Sequence, residues 1–221
     1  MKVIAVANPA GGTGKTTLAH SLAVAFAEFG KKTLLIDLDP SGSLTFRLGL
    51  ENPRVTITEF ISGVKFTDDN LSATSERFDF IASDSRLAAN VNEDALSAVL
   101  SKLPKEYDVV ILDNPSTLTT SLEASIKVAD HVFSPVLDSL HSLRGLIQLR
   151  KITEKTVTAI PLGVVNYEEL VPVLDVAILQ SDEIEQAASS NLSVLSSNKS
   201  SDVAESYRSA AYSILEILGL E

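Results

Sequence analysis

An α/β fold with a mostly parallel central sheet and helices on both faces is what this chain predicts, on three observations. Apolar, β-rich runs alternate along the chain with stretches of helical periodicity. Two of those runs, residues 34–36 and 109–112, are apolar without alternation, as central strands covered on both faces must be. A glycine-rich loop, Asn-Pro-Ala-Gly-Gly-Thr-Gly-Lys-Thr-Thr at residues 8–17, joins an apolar run at 3–7 to a helical pattern at 18–29. That strand–loop–helix order is the one in which parallel sheets hold anions. With 221 residues and 45% hydrophobic content, the chain is expected to form one domain, 1–221, around its own core.

Taken in order, strands are predicted near residues 3–7, 33–37, 78–82, 109–112, 131–136, 159–165 and 173–178. Helices are predicted near 15–29, 56–62, 92–102, 119–128, 143–153, 182–188 and 202–218. Gly30 is a stop for the first helix, and Asn92 followed by Glu93 and Asp94 suits a helix start. The Ser-rich stretch 189–201 reads as a surface loop with a short strand around Val194.

Composition narrows the function. Cys is absent, which removes disulfides, thiol catalysis and thiolate metal sites. His20, His131 and His141 are scattered, and no dedicated metal site is expected from them. The first strand begins at residue 2, leaving no room for a signal peptide, and a cytoplasmic setting is expected. No apolar run approaches the roughly 18 residues of a membrane span. The amphipathic stretch 207–218 has only Arg208 as a cation, so its apolar face is assigned to the core and no membrane partner is expected. Net charge is −11, and between 156 and 221 only Lys199 and Arg208 offset ten acidic residues, a balance that repels polyanions.

The loop carries the chemistry. Gly11, Gly12 and Gly14 free backbone N–H groups to converge on an anion, and the following helix adds its positive end. Lys15 can reach the outer phosphates and the Thr16 hydroxyl can sit on Mg²⁺, with Thr13 and Thr17 completing the cradle. At the end of the second strand Asp37 and Asp39 alternate and so point the same way. Carboxylates there suit the waters of a phosphate-bound metal and the attacking water. Asp113 ends a buried strand in the same manner.

The common loop spacing G-x-x-x-x-G-K-[ST] wants glycine where Pro9 stands. The chain fits x-G-G-x-G-K-[ST] instead and resembles the deviant Walker A loop of the ParA/MinD family, N-x-K-G-G-x-G-K-T-T, at every motif position except Ala10. Residues 37–45 resemble that family's D-x-D-P-Q-x-x-L/A-T, with Ser41 for Gln, and 107–116 resemble its Walker B segment, Y-D-x-h-h-h-D-x-P-P, with Ser116 for the second Pro. Ala129–Val136 is similar to A-D-x-V-h-x-P-V, and Gly163-Val164-Val165-Asn166 resembles the strand whose final Asn touches adenine. The resemblance implies a P-loop NTPase using ATP and Mg²⁺. Asp39 would position the hydrolytic water, Asp37 would support the Mg²⁺ shell, Asp113 would hold a metal water and Asn166 would contact the base. It further implies a homodimer formed on ATP binding, nonspecific DNA binding on the nucleoid, and an adaptor that accelerates slow hydrolysis while a cargo is positioned. Lys199 resembles one DNA-binding position; a second, usually basic, falls near 180–182, where this chain is acidic.

In that family a lysine at the position of Ala10 reaches across the dimer to the partner's nucleotide. Three accounts of its absence are open. Another cation replaces it, Lys151 first, with Arg150 and Arg144 behind, as in the McdA ATPases, which space carboxysomes and lack the loop lysine; the adaptor would then be McdB-like. Or the chain is a plasmid or chromosome partition ParA protein with a ParB-like adaptor, altered at position 10. Or it binds nucleotide and hydrolyses it negligibly, against which Asp39 and Asp113 stand.

Overall fold

The computed structural model describes residues 1–89, 91–103 and 106–221. Six strands, β1 (Lys2–Val6), β2 (Thr33–Asp37), β3 (Asp79–Ile81), β4 (Val109–Asp113), β5 (His131–Val136) and β6 (Val157–Pro161), pair in parallel in the order β3-β2-β4-β1-β5-β6. The chain winds from β1 to the β3 edge, returns as β4 beside β1, then continues to β5 and β6 on the other side. Winding therefore reverses around β1 and β4, and ligands of open parallel sheets bind beyond the carboxyl ends at such a reversal.

Nine helices are assigned among the described residues: α1 (Lys15–Glu28), α2 (Ser43–Arg47), α3 (Ile57–Ile61), α4 (Glu93–Ser101), α5 (Thr120–Val128), α6 (Leu140–Lys151), α7 (Glu183–Ala188), α8 (Val194–Ser197) and α9 (Asp202–Leu218). Strand alternation divides the core in two. Ile4, Leu35, Ile111 and Phe133 meet Leu18, Leu22 and Phe26 of α1 and Tyr207 and Ile214 of α9. On the opposite face Val3, Leu34, Val110 and Leu112 meet Leu96, Leu122, Ile126, Leu146 and Leu149 of α4, α5 and α6.

The long helices differ in how their first turns are capped. Asn92, Thr119, Ser139 and Ser201 place side-chain oxygens on the first turns of α4, α5, α6 and α9. The fifth long helix, α1, begins at Gly14 with no capping side chain, so its first amides are left for something else.

Three local expectations are corrected. Residues 173–178 form no strand; single bridges join Val173 to Ala159 and Ile178 to Leu162, and unequal spacing between those partners breaks the ladder. Around Val194 the chain is helical, because Ser193 caps Leu195 and the buried Glu76 carboxylate accepts from Ser193 N (3.0 Å) and from the Ser196 hydroxyl. The helix expected at 143–153 starts at Leu140, where Ser139 accepts from Ser142 N (3.2 Å).

Candidate nucleotide site

Register brings the predicted residues to one end of the sheet. Asp113 is the neighbour of Val6 on one side and of Asp37 on the other, so the exit of β1 and both strand-end carboxylates lie side by side. Beyond Val6, the buried Asn8 shapes the loop: its Nδ2 donates to Pro135 O (3.0 Å), and its Oδ1 accepts from Ala10 N (3.2 Å). Gly12 and Gly14 take φ of 70° and 81°, and a Cβ on Gly14 would lie 2.8 Å from Leu162 Cδ1. The positive φ at Gly14 favours glycine there, whereas Leu162 Cδ1, the tip of a flexible side chain, could give way. Lys15 is buried, and its Nζ donates to Ala10 O (2.9 Å) and Ser116 Oγ (2.8 Å). Burial lowers its pKa, against the charges of Asp113 and Asp39. Thr13 Oγ1 also donates to Ala10 O (3.2 Å). The ammonium thus rests on a backbone carbonyl that an incoming phosphate oxygen would outbid.

The carboxylates differ in what they have left to offer. Asp37 Oδ1 accepts from Asp39 N (2.9 Å), and its Oδ2 accepts from Thr45 N (3.0 Å) and Thr45 Oγ1 (2.7 Å). Asp37 therefore ties the Asp39 turn to α2. Asp39 is half-buried, and one oxygen accepts from Ser41 N (2.9 Å). Asp113 is fully buried and neither oxygen has a well-formed hydrogen bond, although the Thr16 hydroxyl lies close enough to favour its charged form. Two buried, unpartnered oxygens beside Thr16 fit a hydrated divalent cation.

Burial pushes the Asp37 carboxyl up to about 6. Burial and the neighbouring Asp37 raise Asp113 well above the usual carboxylate range. In the nucleotide-free protein both groups bind protons more tightly folded than unfolded. The Asp37 contribution is present below the unfolded pKa near 4 and is lost as pH rises through about 6, and that of Asp113 is lost in the same direction. As pH rises above the ordinary carboxylate range the wild-type protein should lose stability relative to Asp113→Asn. Paired thermal melts check this; parallel pH profiles for the two proteins contradict it.

Position 10 faces α6. Ala10 is 1% exposed, and a Cβ on Gly145 would stand 1.9 Å from Asn8 Oδ1 and 2.9 Å from Ala10 Cβ, so the helix touches the loop backbone. Beside this contact lies a cavity of about 420 Å³ lined by Pro9, Ala10, His141, Arg144, Gln148 and Lys151 among others. Two of the three predicted substitute cations, Lys151 and Arg144, therefore share a cavity with Ala10, while Arg150 does not line it.

On the other flank of the loop a cavity of about 370 Å³ is lined by Gly12, Gly14, Thr17, Leu137, Leu162, residues 180–182, Ile184, Glu185 and Tyr207. Asn166 is not among these residues. It is exposed, between Val165 and Tyr167, which pack into the opposite core. Sequence reasoning does not find the 180–185 segment as a site, because it carries no motif. Its one signal, the three acids Asp182, Glu183 and Glu185, points away from DNA without pointing to a ligand. Lys199 is exposed near α1 and α9; its carbonyl accepts from Arg208, which also pairs with Glu28.

A family model described as an AAA domain matches residues 1–162. The chromosome partitioning protein ParA of Caulobacter vibrioides is 32% identical over 170 residues, 70% of this chain and 63% of that protein. The chain thus matches about 63% of the length of such curated relatives. An ATP complex of a Cyanothece McdA variant superposes with a TM-score of 0.80 at 24% identity, over all of this chain and 97% of that one, a likeness of fold. Cobyrinic acid a,c-diamide synthase from Mycobacterium smegmatis, solved with an ATP analog and magnesium, gives a TM-score of 0.76 at 27% identity, over 99% of this chain and 95% of that one.

Proposed function

Since the chain belongs to the AAA-domain family, as a ParA/MinD-like member, we propose that it is an ATPase that binds ATP with Mg²⁺ and dimerises around it. The observation that carries this reading is the meeting of Lys15, Thr16, Asp39 and Asp113 beneath an uncapped α1. The loop amides and Lys15 hold the phosphates. Thr16 and Asp113 hold the metal and its water, and Asp39 orients the attacking water. When bound, Mg²⁺ neutralises charge that develops on the phosphoryl oxygens.

Dimerisation is supported by the rim around this site. Leu140 and Val164, 80% and 84% exposed, lie with Phe46 and Leu118 on segments that follow the carboxyl ends of the strands. Their exposure suits a second copy meeting this face. Lys151, in the cavity at Ala10, takes the place of the missing lysine and reaches the partner's triphosphate. Cytoplasmic nucleoid association through nonspecific DNA and positioning of a cargo through an activating adaptor complete the proposal. Ala10 favours carboxysome positioning with an McdB-like adaptor; the likeness to partition ParA proteins supports plasmid or chromosome partition as the alternative.

The test is hydrodynamic. With ATP and Mg²⁺ the wild-type chain should sediment as a dimer and with ADP as a monomer. Lys151→Ala should raise the dimer dissociation constant about tenfold or more, the worth of one charge-assisted contact. Identical sedimentation of wild type and variant removes Lys151 from this role, and a monomer in every nucleotide state removes the dimer.

A further inference from the structure

We infer that Gln180 reads the adenine base of the bound nucleotide through a side-chain amide oriented by a backbone carbonyl. The inference rests on the phosphate-site reading above and adds how the base is chosen.

Gln180 lines the same cavity as Gly12, Gly14 and Thr17, so phosphate cradle and amide face one space of about 370 Å³. Leu162 and Ile184 supply apolar surface in that cavity for the flat face of a base. A backbone hydrogen bond favours one orientation of the amide. Gln180 Nε2 donates to Leu162 O (2.9 Å), and Leu162 is itself fixed, its N–H on Val136 O (2.9 Å). Rotating the amide by half a turn would set Oε1 against that carbonyl, two acceptors face to face.

In that orientation the amide keeps one N–H and the carbonyl Oε1 for a ligand. An acceptor beside a donor matches adenine, whose N6 amine donates and whose N7 accepts. Guanine presents O6 and N7 along the same edge, both acceptors, so Oε1 would oppose O6. The carboxylates of Asp182 and Glu185, also in the cavity, accept only. They serve the adenine amine and guanine's own N–H edge alike, so discrimination falls to Gln180. Asn166, where family resemblance puts the base contact, stands outside this cavity.

Titration of the full chain with ATP, GTP and 7-deaza-ATP, each with Mg²⁺, tests this by calorimetry. Wild type should bind ATP about tenfold or more tightly over GTP, with 7-deaza-ATP in between. Gln180→Ala, an exposed position whose change should leave the melting temperature in place, should lose about tenfold for ATP and little for GTP. Equal binding of ATP and GTP by wild type, or a preference for ATP that survives in Gln180→Ala, overturns the inference and leaves the phosphate site standing. A loss of ATP affinity in Asn166→Ala without one in Gln180→Ala returns the base contact to Asn166 and overturns it too. Binding of no nucleotide at all by wild type sinks the phosphate site itself.

Discussion

Replacing Lys15 with alanine is expected to lower ATP affinity by two orders of magnitude or more. The ammonium is 5% exposed, and its present partners are a carbonyl and a hydroxyl, both neutral. A triphosphate offers charged acceptors at the same place, and each charge-assisted bond in a dry site is worth about 1.5–3 kcal/mol. A second cost adds to the first. Asp113 loses the cation that favours its charged form, so its carboxylate facing the phosphates goes uncompensated. Titration with a fluorescent ATP analogue checks the result. A loss smaller than about tenfold, roughly 1.4 kcal/mol, would place the polyphosphate elsewhere.

Asp39→Ala should act on turnover and spare binding. Asp39 is half-buried and keeps an oxygen free of protein donors, whereas Asp37 is engaged with Asp39 N and Thr45. Orientation of an attacking water is worth roughly 10²–10⁴-fold in rate, so hydrolysis should fall at least a hundredfold while ATP affinity stays within about threefold. With hydrolysis blocked, the ATP-bound dimer should persist for hours on a sizing column. Turnover within fivefold of wild type would remove Asp39 from the reaction. Asp37→Asn is the expected contrast: a lowered melting temperature and a smaller loss of turnover than in Asp39→Ala, because Asp37 acts only by securing α2 and the Asp39 turn.

Much of this was legible in the residues, for a physical reason. Central parallel strands are apolar throughout, and a loop that wraps phosphate must spend glycines, a lysine and a threonine in fixed order. Hence β1, β2, β4, α1 and the glycine turns at Gly12 and Gly14 between β1 and α1 could be read locally. What depended on tertiary partners could not. Residues 193–197 coil into a helix because Glu76, more than a hundred positions earlier, holds them. The stretch 173–178 fails as a strand through mismatched spacing on β6. Asp37 was legible as a strand-end acid, but its engagement with Thr45 depends on how α2 folds back. Gln180 had no signal, because what orients it is a backbone oxygen on another segment.

The tight seat of Gly145 on Asn8 and Ala10 bears on how this chain could be remade. A lysine restored at position 10 would find no room toward Gly145 and would have to thread into the hollow already shared by Arg144 and Lys151. Three like charges would then crowd one recess. Conversion to the lysine-bearing form is thus a concerted exchange, in which a basic group on α6 is surrendered as the new one arrives.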